Sequence, residues 1–348
     1  FAAPGGVIAP YSGLILAADD QSEVAAVLAH EIAHVTQQHL YRAIENQKAM
    51  TIPLALAMLG LVLVGGGSAE AVQGALLGGQ AAAVQAQINF TRQNEVEADR
   101  IGIRTLSLAG YDPAGMSEFF AKMGRITRSM GEGPPEFLRT HPVSVSRITE
   151  AKNRAENMPA AEIDDGRDFY LVQARLRALV EQYPDKTLEW FNHRLERADV
   201  GQAESDALHY GSAISLQRRG DYAEARKLLE SLMAREQHLA YELQLADLDL
   251  DSGRENVALD RLGGLYHNFP GNHAISMQYG RALLKSGSVE QAETASVILR
   301  QQLLTHPDDP SLHQLYARAS NTAGDEIRAK ESMAEAYYLR GSIHEAVL

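Results

Sequence analysis

Cysteine is absent from the 348 residues, which excludes a disulfide framework and any thiolate metal site and leaves the redox compartment unmarked. Basic residues are also in deficit. The 32 Lys and Arg face 45 Asp and Glu, for a net charge of -13. No basic stripe is left to follow a phosphate backbone, so a broad nucleic-acid surface is excluded. There is no initiator methionine at Phe1 and no basic-apolar leader after it. The chain therefore reads as part of a longer protein whose signal, if it has one, lies upstream. Long apolar runs are scarce as well. The one candidate, residues 50–67 (MTIPLALAMLGLVLVGGG), carries no charge. Pro53 and the glycines 65–67 cut it to barely the ~17 residues that a membrane span requires. The expectation is a helical hairpin packed over a site, with peripheral membrane contact as the alternative.

What is present divides into three stretches. The length allows two or three domains. Residues 1–156 form the first, residues 157–168 (NMPAAEIDDGRD) read as a linker, and residues 169–348 repeat themselves. Gly220, Gly253, Gly287 and Gly324 are spaced by 33, 34 and 37 residues. Each has a small residue seven positions earlier (Ala213, Ala246, Gly280, Ala317) and an alanine five positions later (Ala225, Ala258, Ala292, Ala329). Small residues let paired helices approach and the glycine makes the turn between them, so the pattern predicts stacked helix pairs of the tetratricopeptide type. In the first stretch, residues 4–17 predict a hairpin. Asp20 and Glu23 predict a capping box opening a helix that carries Val24, Val27, Leu28, Ile32 and Val35. A further helix is predicted from about Thr91 to Ala109, stopped by Gly110, and another over residues 144–156.

The first of these helices reads VLAHEIAHVTQQH over residues 27–39. His30 and His34, four residues apart, leave one helix face a turn apart, and Glu31 lies beside them. Such a pair suits two corners of a tetrahedral zinc site. His39 falls about half a turn out of phase at ~100° per residue. Residues 35–38 contain no glycine to break the helix, so His39 is expected on the surface or in packing. The later run NEVEAD at 94–99 places Glu95 and Asp99 on one face, with Glu97 turned about 200° away. Glu95 can complete a His, His, Glu set, and Asp99 can fix the tautomer of a ligating histidine. Three protein ligands leave a fourth position to water, the arrangement of a catalytic zinc. Glu31 is then the base that takes the water's proton and returns it to the leaving amine of a peptide.

The HEIAH motif at 30–34, EVEAD at 95–99 and the FAAPGGVI strand before the first helix resemble the zinc peptidases that include HtpX and the CAAX prenyl protease. Within that group, the apolar insert, the RTHP loop at 139–142 and the trailing repeats are similar to the BepA-like periplasmic proteases of Gram-negative bacteria. The resemblance implies an α+β zincin-type domain, mostly helical with a small sheet, followed by an all-α tetratricopeptide-repeat domain. It also implies one zinc ion per chain on His30, His34 and Glu95, with Glu31 as base and Asp99 as support.

Three roles stay open for His141. It can stabilise the oxyanion of the tetrahedral intermediate with Arg147 as helper. It can occupy the open zinc position until a loop flanked by Gly131, Gly133, Pro134 and Pro135 moves. Or it can cap the helix that follows. Residues 5–8 are expected to offer a strand edge to a peptide. In the repeats, Asp247, Asp249, Asp251 and Glu255 read as a solvated face, and Tyr210, Tyr241, Tyr279 and Tyr316 as candidate contacts. The expected function is a periplasmic zinc endopeptidase acting on misfolded or stalled outer-membrane proteins. Its repeats would bind clients or the outer-membrane assembly machinery. The alternative is a chaperone or scaffold whose peptidase site stays shut.

Overall fold

The structure is a computed structural model that describes residues 2–3, 6–45, 69–129, 141–159, 165–285 and 287–347. The apolar run at 50–67 and the loop glycines and prolines at 131–135 lie outside the described residues. The chain forms two compact units, Phe1–Gln173 and Ala174–Leu348.

The first unit begins with a two-stranded antiparallel sheet, β1 (Ala2–Ala3) and β2 (Val7–Ile8), with Ala3 opposite Val7. Among the described residues β2 pairs with β1 alone. The expected hairpin over 4–17 is therefore corrected. The strands end at Ile8, and Ser12–Ala17 is a short helix, α1. Its Leu14 and Ala17, three apart, pack against the core, so tertiary burial decides the conformation of a run that the sequence alone reads as extended.

Helix α2 spans Gln21–Thr36. Asp20 caps it, accepting from the backbone N–H of Ser22 at 2.8 Å and of Glu23 at 3.0 Å. The Glu23 carboxylate reaches back to the N–H of Asp19 rather than of Asp20, and it is also held by Lys122. Burial nevertheless pushes the Glu23 pKa up. Helix α3, Ala69–Leu108, is far longer than the segment expected from Thr91. The preceding residues are rich in alanine and free of proline, so nothing interrupts the ladder. Its end is as expected: Gly110 adopts φ +84°, and the N–H of Tyr111 returns to the Leu106 carbonyl. Helices α4 (Ala114–Ser129) and α5 (Val145–Ala155) complete the unit. Ala26, Val27, Ile103, Leu106, Phe119 and Phe120 form the centre of its core. That core clamps α2 against α3 and α4, and so fixes the two helices that carry the chemistry.

The second unit is all helix. After α6 (Arg167–Val180), whose last turns begin it, and α7 (Pro184–Leu195), four helix pairs follow: Gln202–Arg219 with Tyr222–Arg235, Leu239–Asp251 with Glu255–Asn268, His273–Lys285 with Val289–Leu303, and Pro310–Thr322 with Glu326–Leu339. The four repeat glycines all adopt positive φ, from +70° to +96°. The alanines before and after them are buried. At Gly280 a Cβ would meet the Leu299 side chain at 3.0 Å, the close approach inferred from the repeat. Two expectations are corrected. Tyr210, Tyr241 and Tyr316 are buried core residues rather than contact residues. Asp249 is fully buried and paired with Arg226 at 2.5 Å, so it is no part of a solvated face. No helix among the described residues is long and apolar enough to cross a membrane.

Candidate metal centre

Helix α2 presents His30 and His34 from successive turns, and α3 presents Glu95 to meet them. His30 Nε2 and His34 Nε2 are 3.0 Å apart. Glu95 lies 3.5 Å from the first through Oε2 and 3.3 Å from the second through Oε1. His141 enters from the segment before α5, with Nδ1 3.0 Å from Glu95 Oε1 and 3.3 Å from His30 Nε2. Ligand atoms of these four residues all lie within 4.8 Å of one another. His30 is 1% exposed and Glu95 4%. Three imidazoles and a carboxylate converging in a largely buried space form a donor set suited to a divalent ion.

Asp99 and Arg147 brace this set. Asp99 Oδ1 stands 2.9 Å from His30 Nδ1, one turn beyond Glu95 on the same helix face. Arg147 donates from Nε and Nη2 to the two Asp99 oxygens, both at 2.7 Å. Its Nη1 donates to the Pro142 carbonyl at 2.7 Å and lies 3.0 Å from Glu95 Oε2. Burial disfavours a charged His30, yet Asp99 and Glu95 outweigh it and raise its pKa to about 9. Burial would likewise raise Glu95, but hydrogen bonds from His141, His30 and His34 hold its carboxyl far below the usual range. Asp99 is also held below its usual value, against burial, by Arg147 and His30. For His34, burial prevails and lowers the pKa.

Glu31 is 2% exposed, and its Oε1 has no hydrogen-bond partner among the described residues. The nearest basic atom is His141 Nε2 at 3.4 Å. A buried carboxylate oxygen without a hydrogen bond among the described residues, beside four metal-type donors, fits a site that receives an ion and water. A cleft of about 540 Å³ adjoins the cluster, lined by Glu95 and Arg147 together with Ile88, Thr91, Val96 and Val143.

Three expectations change. His141 does not cap α5, because Ser144 does so by accepting from the Arg147 N–H. The geometry favours a bracing role for Arg147 over that of oxyanion helper, since its Nε, Nη1 and Nη2 meet Asp99, Pro142 and Glu95. Of the two places expected for His39 it takes packing and not the surface, and the continuous helix expected after His34 does not hold. The helix breaks after Thr36, Gln38 takes φ +54°, and helix resumes at residue 39. That break buries His39 to 3% exposure and sets it 2.9 Å from His34.

Gly102 is a further residue with no expected role. A Cβ there would stand 3.1 Å from both the Cα and the N of His30. The obstacle is backbone, which cannot swing aside as a side chain can. Gly102→Ala should therefore separate α3 from α2 by a few tenths of an ångström and cost about 1–3 kcal/mol of stability. Metal affinity should fall with it, because Glu95 and His30 sit on the separated elements. Denaturant unfolding and metal titration of the variant check both effects, and an unchanged affinity would refute the second.

Residues 1–155 match the family model of peptidase family M48, and residues 249–319 match a tetratricopeptide repeat. Across 348 residues the chain is 34% identical to the Beta-barrel assembly-enhancing protease of Escherichia coli (strain K12), covering 100% of this chain and 70% of that protein. The chain belongs to peptidase family M48. This M48 chain is also 32% identical over 349 residues to the Putative beta-barrel assembly-enhancing protease of Vibrio cholerae, covering 100% of this chain and 71% of that one. The Mitochondrial metalloendopeptidase OMA1 of Saccharomyces cerevisiae shares 32% identity over 164 residues, 46% of this chain and 44% of its own. The expected likeness to BepA-type proteases is thus borne out, as is the order of a metallopeptidase domain followed by repeats. M48 membership makes the chain a metallopeptidase and implies a metal cofactor, and the four converging donors fit one.

Proposed function

We propose that this M48 chain is a zinc endopeptidase of the Gram-negative periplasm that cleaves misfolded or stalled outer-membrane proteins. The observation that carries the reading is the buried Glu31 Oε1, without a hydrogen bond among the described residues, beside the donor group of His30, His34, Glu95 and His141. His30, His34 and Glu95 would hold the ion. When bound, zinc supplies Lewis acidity, polarising the scissile carbonyl and making water more acidic. Glu31 takes the proton of the attacking water and delivers it to the amine nitrogen as the C–N bond breaks. Asp99 and Arg147 keep His30 and Glu95 in place throughout. The outer edge of β2, where Val7 is 60% exposed, would receive an extended peptide as an added strand. The repeats would bind clients or the outer-membrane assembly machinery, in keeping with the assembly role in the relatives' name.

One observation favours a second reading, a chaperone or scaffold with a shut peptidase site. His141 Nδ1 lies 3.0 Å from Glu95 Oε1 and 3.3 Å from His30 Nε2, among the donors that would hold the ion, where it would compete with a substrate carbonyl for it. Under the first reading His141 must withdraw before cleavage. Casein digestion by the wild type and by His141→Ala, each with and without a chelator, separates the two. The endopeptidase reading expects chelator-sensitive cleavage in at least one of them, and zinc retained in His141→Ala. Zinc-loaded protein that cleaves nothing in either form would support the scaffold.

A further inference from the structure

We infer that His39 is a positioning residue that relays the carboxylate of Glu97 to the ring of His34, holding His34 in the tautomer that turns an unprotonated Nε2 toward the metal. The inference rests on the reading of His34 as a ligand. His39 Nδ1 lies 2.9 Å from His34 Nδ1, with the rings 4.8 Å apart and nearly perpendicular at 79°. His39 Nε2 lies 3.2 Å from Glu97 Oε2, which also accepts from Arg42 Nη1 at 2.9 Å.

A contact between two imidazole nitrogens that share no metal ion requires one to carry a proton and the other a lone pair. His34 Nε2 faces His30 Nε2 at 3.0 Å and Glu95 Oε1 at 3.3 Å. To ligate from there it must be unprotonated, so the His34 proton resides on Nδ1 and is donated to His39 Nδ1. His39 then carries its own proton on Nε2 and donates it to Glu97. Each assignment forces the next, and the chain ends on a carboxylate–arginine pair. His30 has a carboxylate–arginine pair beside it directly, with Asp99 Oδ1 2.9 Å from its Nδ1 and Asp99 held by Arg147. The two histidines thus stand on equivalent pairs, one reached directly and one through a second ring. The conformation of the chain agrees. Gln38 adopts a left-handed φ of +54°, uncommon for a residue with a side chain, and this turn is what returns His39 to His34. Glu97, on the α3 face opposite Glu95, thereby acquires a part in the same site.

The test is the affinity of the full chain for Zn²⁺, measured by competition with a chromogenic chelator. His39→Phe, which fills the space without an acceptor, should weaken binding by about ten- to a hundredfold. His39→Asn should recover much of that loss, because its Oδ1 can accept where Nδ1 did. Glu97→Gln should weaken binding by a smaller factor, since 38% of its side chain is in water. It should add nothing in the His39→Phe background. Glu97→Gln does not disturb the buried ring, so it tests the relay even if His39→Phe fails to fold. Proton–nitrogen NMR of ring-labelled protein loaded with Zn²⁺ should find the His34 proton on Nδ1. Lowered stability in His39→Phe with unchanged affinity and no coupling to Glu97 would reduce His39 to a packing residue and overturn the relay. His34→Ala is the control. If it binds Zn²⁺ as tightly as the wild type, the ligand reading falls and takes the relay with it. If it abolishes binding while His39→Phe and Glu97→Gln leave affinity untouched, the relay alone falls.

Discussion

Glu31→Gln is expected to keep its bound metal and lose about 10²–10⁴-fold in peptide hydrolysis. Glutamine matches glutamate in size and leaves the α2 backbone and the neighbouring His30 and His34 undisturbed. It cannot accept a proton at neutral pH, which is the step assigned to Glu31. The surroundings sharpen the expectation. Glu31 is 2% exposed and its Oε1 makes no hydrogen bond among the described residues. The contact at risk at that oxygen is the 3.4 Å approach of His141 Nε2, which an amide oxygen can keep, and the buried carboxylate gives way to a neutral amide that is less costly to bury. Thermal stability should accordingly hold or rise. Metal content by atomic absorption, read beside casein turnover at saturating zinc, checks the prediction. Loss of metal in proportion to activity would make Glu31 a support of the site instead of its base. Full activity with full metal would require another base.

The parts of this site that were legible in the sequence are those governed by helical period. His30 and His34 four apart, and Glu95 and Asp99 four apart, could be placed on shared faces because nothing within either motif interrupts the helix. The repeats were legible for a related reason, since a glycine at positive φ and small residues at close crossings recur in fixed register. The approach of His39 to His34 is not legible, because helical period does not carry across a break that has no mark: Gln38 supplies a left-handed turn without being glycine. That one turn also concealed the use of Glu97, whose partners come from the segment after it. Arg147 could be associated with the site but not oriented, because orientation depends on which carboxylates of α3 reach it from across the core. Gly102 signals nothing by itself. Its meaning lies in the His30 backbone 3.1 Å from where its Cβ would stand.

The second large effect is expected at Arg147, and in stability before activity. Its guanidinium is 6% exposed and fully occupied, with two bonds to Asp99, one to the Pro142 carbonyl and a close approach to Glu95. The planar fork matches the Asp99 carboxylate in a way a lysine ammonium cannot. Arg147→Leu leaves Asp99 and Glu95 as buried carboxylates facing the histidines without their cation, and removal of one partner of such a pair costs about 3–5 kcal/mol. Arg147→Lys should recover only part of this. Asp99→Asn should cost less than Arg147→Leu, because Arg147 keeps Glu95 as a counterion. The double variant should be less destabilised than the two single costs combined, since it leaves no unpaired charge at position 99. Urea unfolding of the chelated protein isolates these terms from metal binding, which would otherwise stabilise each variant by a different amount. The segment that carries His141 hangs from the same arginine through Pro142. Arg147→Leu should therefore also weaken zinc affinity, through Glu95 and His30 together. Full stability and full affinity in Arg147→Leu would mean that the packing of α5 against α4, and not this ion cluster, holds the floor of the site.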